Sequence, residues 1–152
     1  MPEIQAGDEI HSDWWPAAVE NDDTTNFLDI TSTSYTAGSP ECSVLFEAPR
    51  SGRVAVCIAG GLQNQDAGDR VFLSWECYLG TSASGTLVQS AIDTHGVSTS
   101  GGPSSLEGTW ANMVMLQGLT PGATYFARTM HRVDGGTTND VHQRRIIVFP
   151  LP

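Results

Sequence analysis

From Phe27 to the end of the chain, apolar and polar residues alternate with a period close to two, and the alternation is broken at short intervals by Gly, Pro, Ser and Asn. That pattern predicts strands separated by turns. Eight segments carry it: Phe27–Ser32, Cys42–Glu47, Arg53–Ala59, Arg70–Leu79, Thr86–Ile92, Trp110–Gln117, Ala123–Val133 and Val141–Leu151. The clearest is Arg70–Leu79, where Val71, Leu73, Trp75, Cys77 and Leu79 share one face and Ser74 and Glu76 the other. Between the segments lie turn sequences such as Ala37-Gly38-Ser39-Pro40, Pro49-Arg50-Ser51-Gly52 and Leu119-Thr120-Pro121-Gly122. Gly60 to Gly68 and His95 to Gly108 read as polar loops, and Asp134–Asp140 as the connection of a final hairpin.

No stretch carries a convincing helical period, and Gly, Ser and Thr make up 45 of the 152 residues, a composition that suits short strands and many turns. The expected fold is all-β: an antiparallel β-sandwich or jelly roll of about eight strands. The last strand ends almost with the sequence, which places it in a central or well-packed position, because a loose edge would fray.

Residues 1–26 lack this period, and charge sets them apart. Residues 1–49 hold ten carboxylates and no Arg or Lys, whereas residues 50–152 hold seven acids and seven Arg. The net charge of −10 therefore belongs to the first third. The division predicts an extended acidic N-terminal arm, 1–26, on a sandwich domain, 27–152. Within the arm, Trp14 and Trp15 are costly to leave in water and should dock on a surface, either this chain's or a neighbour's. An acidic chain without a basic stripe is a poor partner for nucleic acid. No apolar run approaches the ~20 residues of a membrane-spanning helix, and the acidic N-terminus does not read as a signal peptide.

Candidate chemistry is sparse. His131 and His142 fall on the last two strands and could face each other across a hairpin, but a metal needs a third ligand of matching geometry. The loop Asp134-Gly135-Gly136-Thr137-Thr138-Asn139-Asp140 lacks the spacing of a calcium loop. Cys42, Cys57 and Cys77 are odd in number, without CxxC spacing, and read as buried free thiols. No nucleophile, phosphate-binding or dinucleotide motif is present. No catalytic residue, metal site or cofactor is expected, and the protein is read as a non-enzyme.

Leu119-Thr120-Pro121-Gly122-Ala123-Thr124-Tyr125 places a Pro-Gly turn just before a strand that carries Tyr125, a pattern similar to the tyrosine corner of β-sandwiches. Pro121, Gly122 and Tyr125 are its structural residues. Three further stretches resemble small structural proteins of tailed bacteriophages, those of actinobacterial hosts above all. They are Ile4-Gln5-Ala6-Gly7-Asp8-Glu9-Ile10-His11-Ser12-Asp13-Trp14, the entry strand Ser43-Val44-Leu45-Phe46-Glu47-Ala48-Pro49-Arg50-Ser51-Gly52, and the closing module around Tyr125–Val133 with Gly135-Gly136.

The resemblance implies a non-enzymatic virion component made in the host cytoplasm, often trimeric, attached to the particle by its N-terminal segment. A capsid decoration protein is the leading expectation, and a tail-fibre or tail-tip domain is the near alternative. The partners would be further copies of the chain, as a homotrimer, and the major capsid protein or another virion protein. Ile4, Asp8, Ile10, Asp13, Trp14 and Trp15 are the expected partner-binding residues, since apolar anchors separated by acids suit an electropositive, grooved partner. A carbohydrate-binding module is the alternative of a different class, with Trp14, Trp15 or Trp110 stacking on sugars.

Overall fold

The computed structural model describes residues 16–64, 67–99, 106–136 and 139–152. Among them are eleven strands, one short 3-10 turn at Asp93–His95 and no α-helix. All pairings are antiparallel and fall into two sheets. The fold is thus the expected β-sandwich, with more strands than the sequence pattern marked.

The first sheet runs β1 (Val19–Asp23), β11 (Asn139–Pro150), β5 (Val54–Asn64) and β9 (Leu106–Leu116), with β2 (Phe27–Ile30) beside β1 on the same edge of β11. The second runs β10 (Thr124–Val133), β6 (Val71–Leu79) and β7 (Thr86–Gln89). There β3 (Thr36–Ala37) and β4 (Ser43–Glu47) pair β10, and β8 (Val97–Ser98) pairs β6. The inward faces meet in one core whose fully buried members include Trp75, Ile58, Leu62, Leu73, Ile146, Val56 and Val148. Each contributes roughly 1.5–3 kcal/mol relative to exposure. As expected of a packed last strand, β11 is central, with β5 on one side and β1 and β2 on the other.

Three expectations are corrected. The sandwich begins before Phe27: Val19–Asp23, assigned to the arm by its acids, is strand β1. Register explains it, because Asp22 and Asp23 lie opposite Arg145 and Arg144 on β11. Second, β5 does not stop at Ala59 but runs through Gly60-Gly61 to Asn64 between β11 and β9. Glycine there serves close approach rather than a turn. A Cβ at Gly60 would come within 2.6 Å of Leu73 Cδ2, and one at Gly61 within 2.9 Å of the His142 carbonyl oxygen.

Third, the predicted final hairpin does not exist. β10 and β11 belong to different sheets and do not pair with each other. His131 and His142 consequently do not face each other. His131 points into the core from the second sheet, whereas His142 lies opposite Gly61 in the first. In addition, β6 is buried on both faces: Ser74 and Glu76, on the face opposite Leu73 and Trp75, are covered, Ser74 by the segment around Ile92, whose carbonyl accepts its hydroxyl proton at 2.8 Å.

Candidate functional site

The two outer faces of the sandwich differ. On the second sheet, ion pairs and ring contacts stand beside the exposed apolar residues Leu45, Leu79, Leu87 and Val88. Arg128 bonds Glu76 (Nη2–Oε1 2.6 Å) and also pairs with Glu41. Arg132 grips Asp93 through Nε (3.1 Å) and Nη2 (2.6 Å) while its guanidinium lies 3.9 Å from the Phe72 ring centroid. Tyr35 donates its hydroxyl proton to the same carboxylate at 2.8 Å. Burial, with that carboxylate alongside, pushes the Tyr35 phenol far above its ordinary range.

The outer face of the first sheet carries the Arg145–Asp22 pair beside an apolar half. Register aligns Phe149, Ala55 and Met115 in one row, Ile147, Cys57 and Met113 in the next, and Arg145, Ala59 and Ala111 in the third. Glu20 and Asp22 on β1 extend the second and third rows. Met113 and Met115 are 58% and 53% exposed, in rows with Ile147 and Phe149, which are partly buried. The first two rows form an apolar half. At its β1 edge lies a dent of about 480 Å³ lined by Ala18, Val19, Glu20, Ile147 and Phe149.

The rest of the face is polar. A bulge between His142 and Arg144 puts Gln143 at φ 47°, outside the ladder. Around it are two shallow grooves over Gly61. One, about 420 Å³, is bordered by Asp22, Thr109, Gln143 and Arg145, and the other, about 690 Å³, by Glu107, Thr109 and His142. These grooves bring Arg and carboxylate together only at Arg145–Asp22, 3.0 Å apart and half exposed.

The edge that carries β1 is pinned from beneath. Arg144 is 0% exposed; its Nη2 donates to Asp23 Oδ2 at 2.6 Å and to the Pro40 carbonyl at 2.8 Å, and its guanidinium covers the Phe27 ring at 4.2 Å. Burial lowers the Arg144 pKa, with Asp23 opposing the shift. For Asp23, burial acts upward, but the Thr25 amide and hydroxyl and the Arg144 guanidinium outweigh it and hold the carboxyl below its ordinary value. The Cys42 thiol donates to the Arg144 carbonyl at 3.3 Å. A carboxylate, a carbonyl and an aromatic face thus accommodate a cation that an apolar core would not hold alone.

Of the sequence-derived site residues, Ile4, Asp8, Ile10, Asp13, Trp14 and Trp15 lie outside the described residues. Pro121, Gly122 and Tyr125 form the corner. The Ala123 amide donates to the Thr120 carbonyl at 3.1 Å, Gly122 sits at φ 75°, and the Thr120 amide donates to Tyr125 Oη at 2.9 Å. The Tyr125 ring is 3% exposed and stacks on Phe46 at 5.6 Å. Trp110, a candidate sugar platform, instead packs its ring against the core. Cys42 and Cys77 are buried free thiols, and burial pushes Cys77 up to about 12. Cys57 is only half buried, because it faces outward.

Among the described residues, no three His, Cys, Asp or Glu converge as metal ligands. No helix among them is long and apolar enough to cross a membrane. The outward apolar residues were missed in the sequence, although a signal exists. Met113-Val114-Met115-Leu116 and Ile146-Ile147-Val148-Phe149 are continuous apolar runs, and a strand without alternation is apolar on both faces.

No protein-family model matches this chain, and no curated protein matches it. Solved structures do. The protein is similar to a chain of the infectious bursal disease virus Gt strain (TM-score 0.56, 10% identity) over 99% of its own length and 38% of that chain. It is similar to the same virus's VP2 subviral particle (TM-score 0.54, 12% identity), again over 99% of its length and 38% of that chain. A third match is to the T13 particle of that virus (TM-score 0.54, 11% identity), over 99% of this chain and 36% of that one. This protein therefore spans little more than a third of the length of those viral chains. At such identities the shared property is the sandwich fold.

Proposed function

We propose that this protein is a non-enzymatic structural component of a bacteriophage virion: a capsid decoration protein that attaches to the head through its N-terminal segment and stabilises it. The observation that carries the reading is the apolar half of the first sheet's outer face, where Met113 and Met115 are more than half exposed among the described residues. Such a face marks an interaction surface rather than a reaction centre. The fold likeness to proteins of viral particles over nearly the whole chain supports the same reading.

Attachment would use the carboxylates Asp8 and Asp13 and the apolar anchors Ile4, Ile10, Trp14 and Trp15 against an electropositive groove on the major capsid protein or another virion protein. The sandwich would associate as a homotrimer. Deleting residues 1–16 is expected to abolish binding to purified particles and to leave a folded body, since β1 begins only at Val19. Full particle binding by the truncated protein would overturn the attachment. Quantifying the chain in virions separates decoration from a tail location: hundreds of copies fit a capsid coat, and a handful would move the protein to the tail. Light scattering on the free and particle-released protein tests the trimer.

A further inference from the structure

The exposed apolar side chains are not scattered. Of the eight large ones among the described residues, six are Leu45, Leu79, Leu87, Val88, Met113 and Met115. All six lie toward one end of the sandwich, where the connections 48–53, 80–85 and 117–123 turn. Backbone bonds tie those connections together: the Gly122 amide donates to the Ala48 carbonyl at 2.9 Å, Leu119 to Gly52 at 3.1 Å and Gly80 to Thr124 at 2.9 Å. On the first sheet the apolar band is Met113 and Met115 with Ile147 and Phe149. On the second it is the row Leu45, Phe126, Tyr78 and Leu87, in register across β4, β10, β6 and β7. One end of the molecule is therefore apolar on both of its outer faces.

Charge marks the same end. The bands are bordered by Glu20, Glu47, Arg50 and Arg53, which sum to zero in a chain of net charge −10. Among the described residues none of these four enters an ion pair, whereas the other five Arg all do. Asp69, Asp93, Glu107, Asp134 and Asp140 lie toward the opposite end. Along β9, Glu107 is eight residues from Met115, which is ~27 Å of strand and about three Debye lengths at physiological salt. Two copies of so acidic a chain come together with least repulsion through their apolar ends.

Size agrees. Two outward rows on one sheet and one on the other, each across four strands about 4.8 Å apart, give roughly 400 Å². An ordinary footprint of ~800 Å² holds about 450 Å² of apolar surface. We propose that a second copy of this chain covers the bands: the first-sheet band of one copy packs on the second-sheet band of the next, with Arg50 and Arg53 facing Glu20 and Glu47 across the contact. Each copy thus offers different surfaces to two neighbours, a heterologous contact. Because the bands are confined to one end, neighbours meet there and splay at their acidic ends, which turns the contact into a closed ring. The inference rests on the homotrimer of the reading above and names the surfaces that build it.

Sedimentation equilibrium of the full chain, 16.2 kDa, over a wide concentration range tests this. M115E alters the first-sheet band and L87E the second, each at a side chain half or more exposed, so the sandwich is kept. Each variant is expected to weaken wild-type association about tenfold or more, the cost of a charge in an apolar contact, with an unchanged urea midpoint. An equimolar mixture of the two should form pairs and no larger species, because one intact band of each kind remains between them. Oligomers indifferent to both variants, or a mixture that stays monomeric, overturn the proposal and leave the homotrimer to another surface. A wild-type chain that is monomeric both free and released from particles overturns the homotrimer and the proposal together. Variants that keep the wild-type mass but lose particle binding overturn it too, because a virion protein would then cover the bands.

A charge exchange checks the contact independently. R50E/R53E makes the border of the bands wholly acidic and E20R/E47R makes it wholly basic, all at exposed positions. Each variant alone should self-associate less than wild type, and the two mixed at low salt should associate about tenfold more tightly than either does with itself. A mixture no tighter than its components would overturn the proposal.

Discussion

At the scale of single residues, His131 is the least visible in sequence and the most consequential for pH response. Its ring is buried beside Phe27, with centroids 5.2 Å apart, and its Nε2 lies 3.4 Å from the Thr36 hydroxyl. Burial, followed by the positive charge of Arg144, lowers its pKa to about 4. The unfolded chain takes up this proton near pH 6.5 and the folded chain only near 4. Between those values the unfolded state binds more protons, so stability falls as pH falls. From pH 7 to pH 4.5 the loss amounts to about 2 kcal/mol. H131Q should flatten that part of the urea-derived stability profile. A variant with the wild-type slope across this window would show that the imidazole is not the group responsible. Asp23 acts lower on the scale. Its carboxyl is held below its ordinary 3.8, so its contribution is complete above that value and is lost only as pH falls through its depressed folded-state pKa.

At the scale of elements, strand existence was legible wherever one face is buried and the other wet, as in β4, where Val44 and Phe46 point inward and Leu45 and Glu47 outward. It failed where that condition fails. Strand β1 reads as an acidic loop because its carboxylates are matched by Arg144 and Arg145, some 120 residues away. Gly60-Gly61 reads as a turn because nothing local reveals a neighbour close enough to exclude a Cβ. The β10–β11 connection reads as a hairpin because its Gly residues suit one, while sheet membership is set by the core as a whole. The corner at Thr120–Tyr125 was readable because its parts are adjacent in sequence, and it supports a direct test. Y125F keeps the ring on Phe46 and leaves the Thr120 amide without its acceptor. We expect a loss of about 1 kcal/mol in chemical denaturation, the net worth of one such hydrogen bond. A change indistinguishable from zero would mean that water replaces the phenol and that the corner is held by packing alone.

At the scale of the whole molecule, the charge asymmetry divides into two parts with different roles. Of the ten carboxylates in residues 1–49, Asp22, Asp23 and Glu41 are paired with Arg145, Arg144 and Arg128, and so tie the first third to the body. Glu3, Asp8, Glu9 and Asp13 precede the described fold, in a stretch without a single cation. If these four steer the protein to an electropositive partner, attachment must weaken with salt, because the Debye length falls from ~10 Å at 0.1 M to ~3 Å at 1 M. The internal pairs Arg144–Asp23 and Arg128–Glu76 are buried or nearly so and should be screened far less. Salt therefore separates the two sets of charges: particle binding should fall steeply over this range while the unfolding midpoint moves little. D8N/D13N should slow association at low salt and leave dissociation nearly unchanged, the pattern of charges that guide encounter rather than hold the complex. Particle binding independent of salt, with D8N/D13N associating as fast as wild type, would remove electrostatic steering and leave the apolar anchors Ile4, Ile10, Trp14 and Trp15 as the basis of attachment.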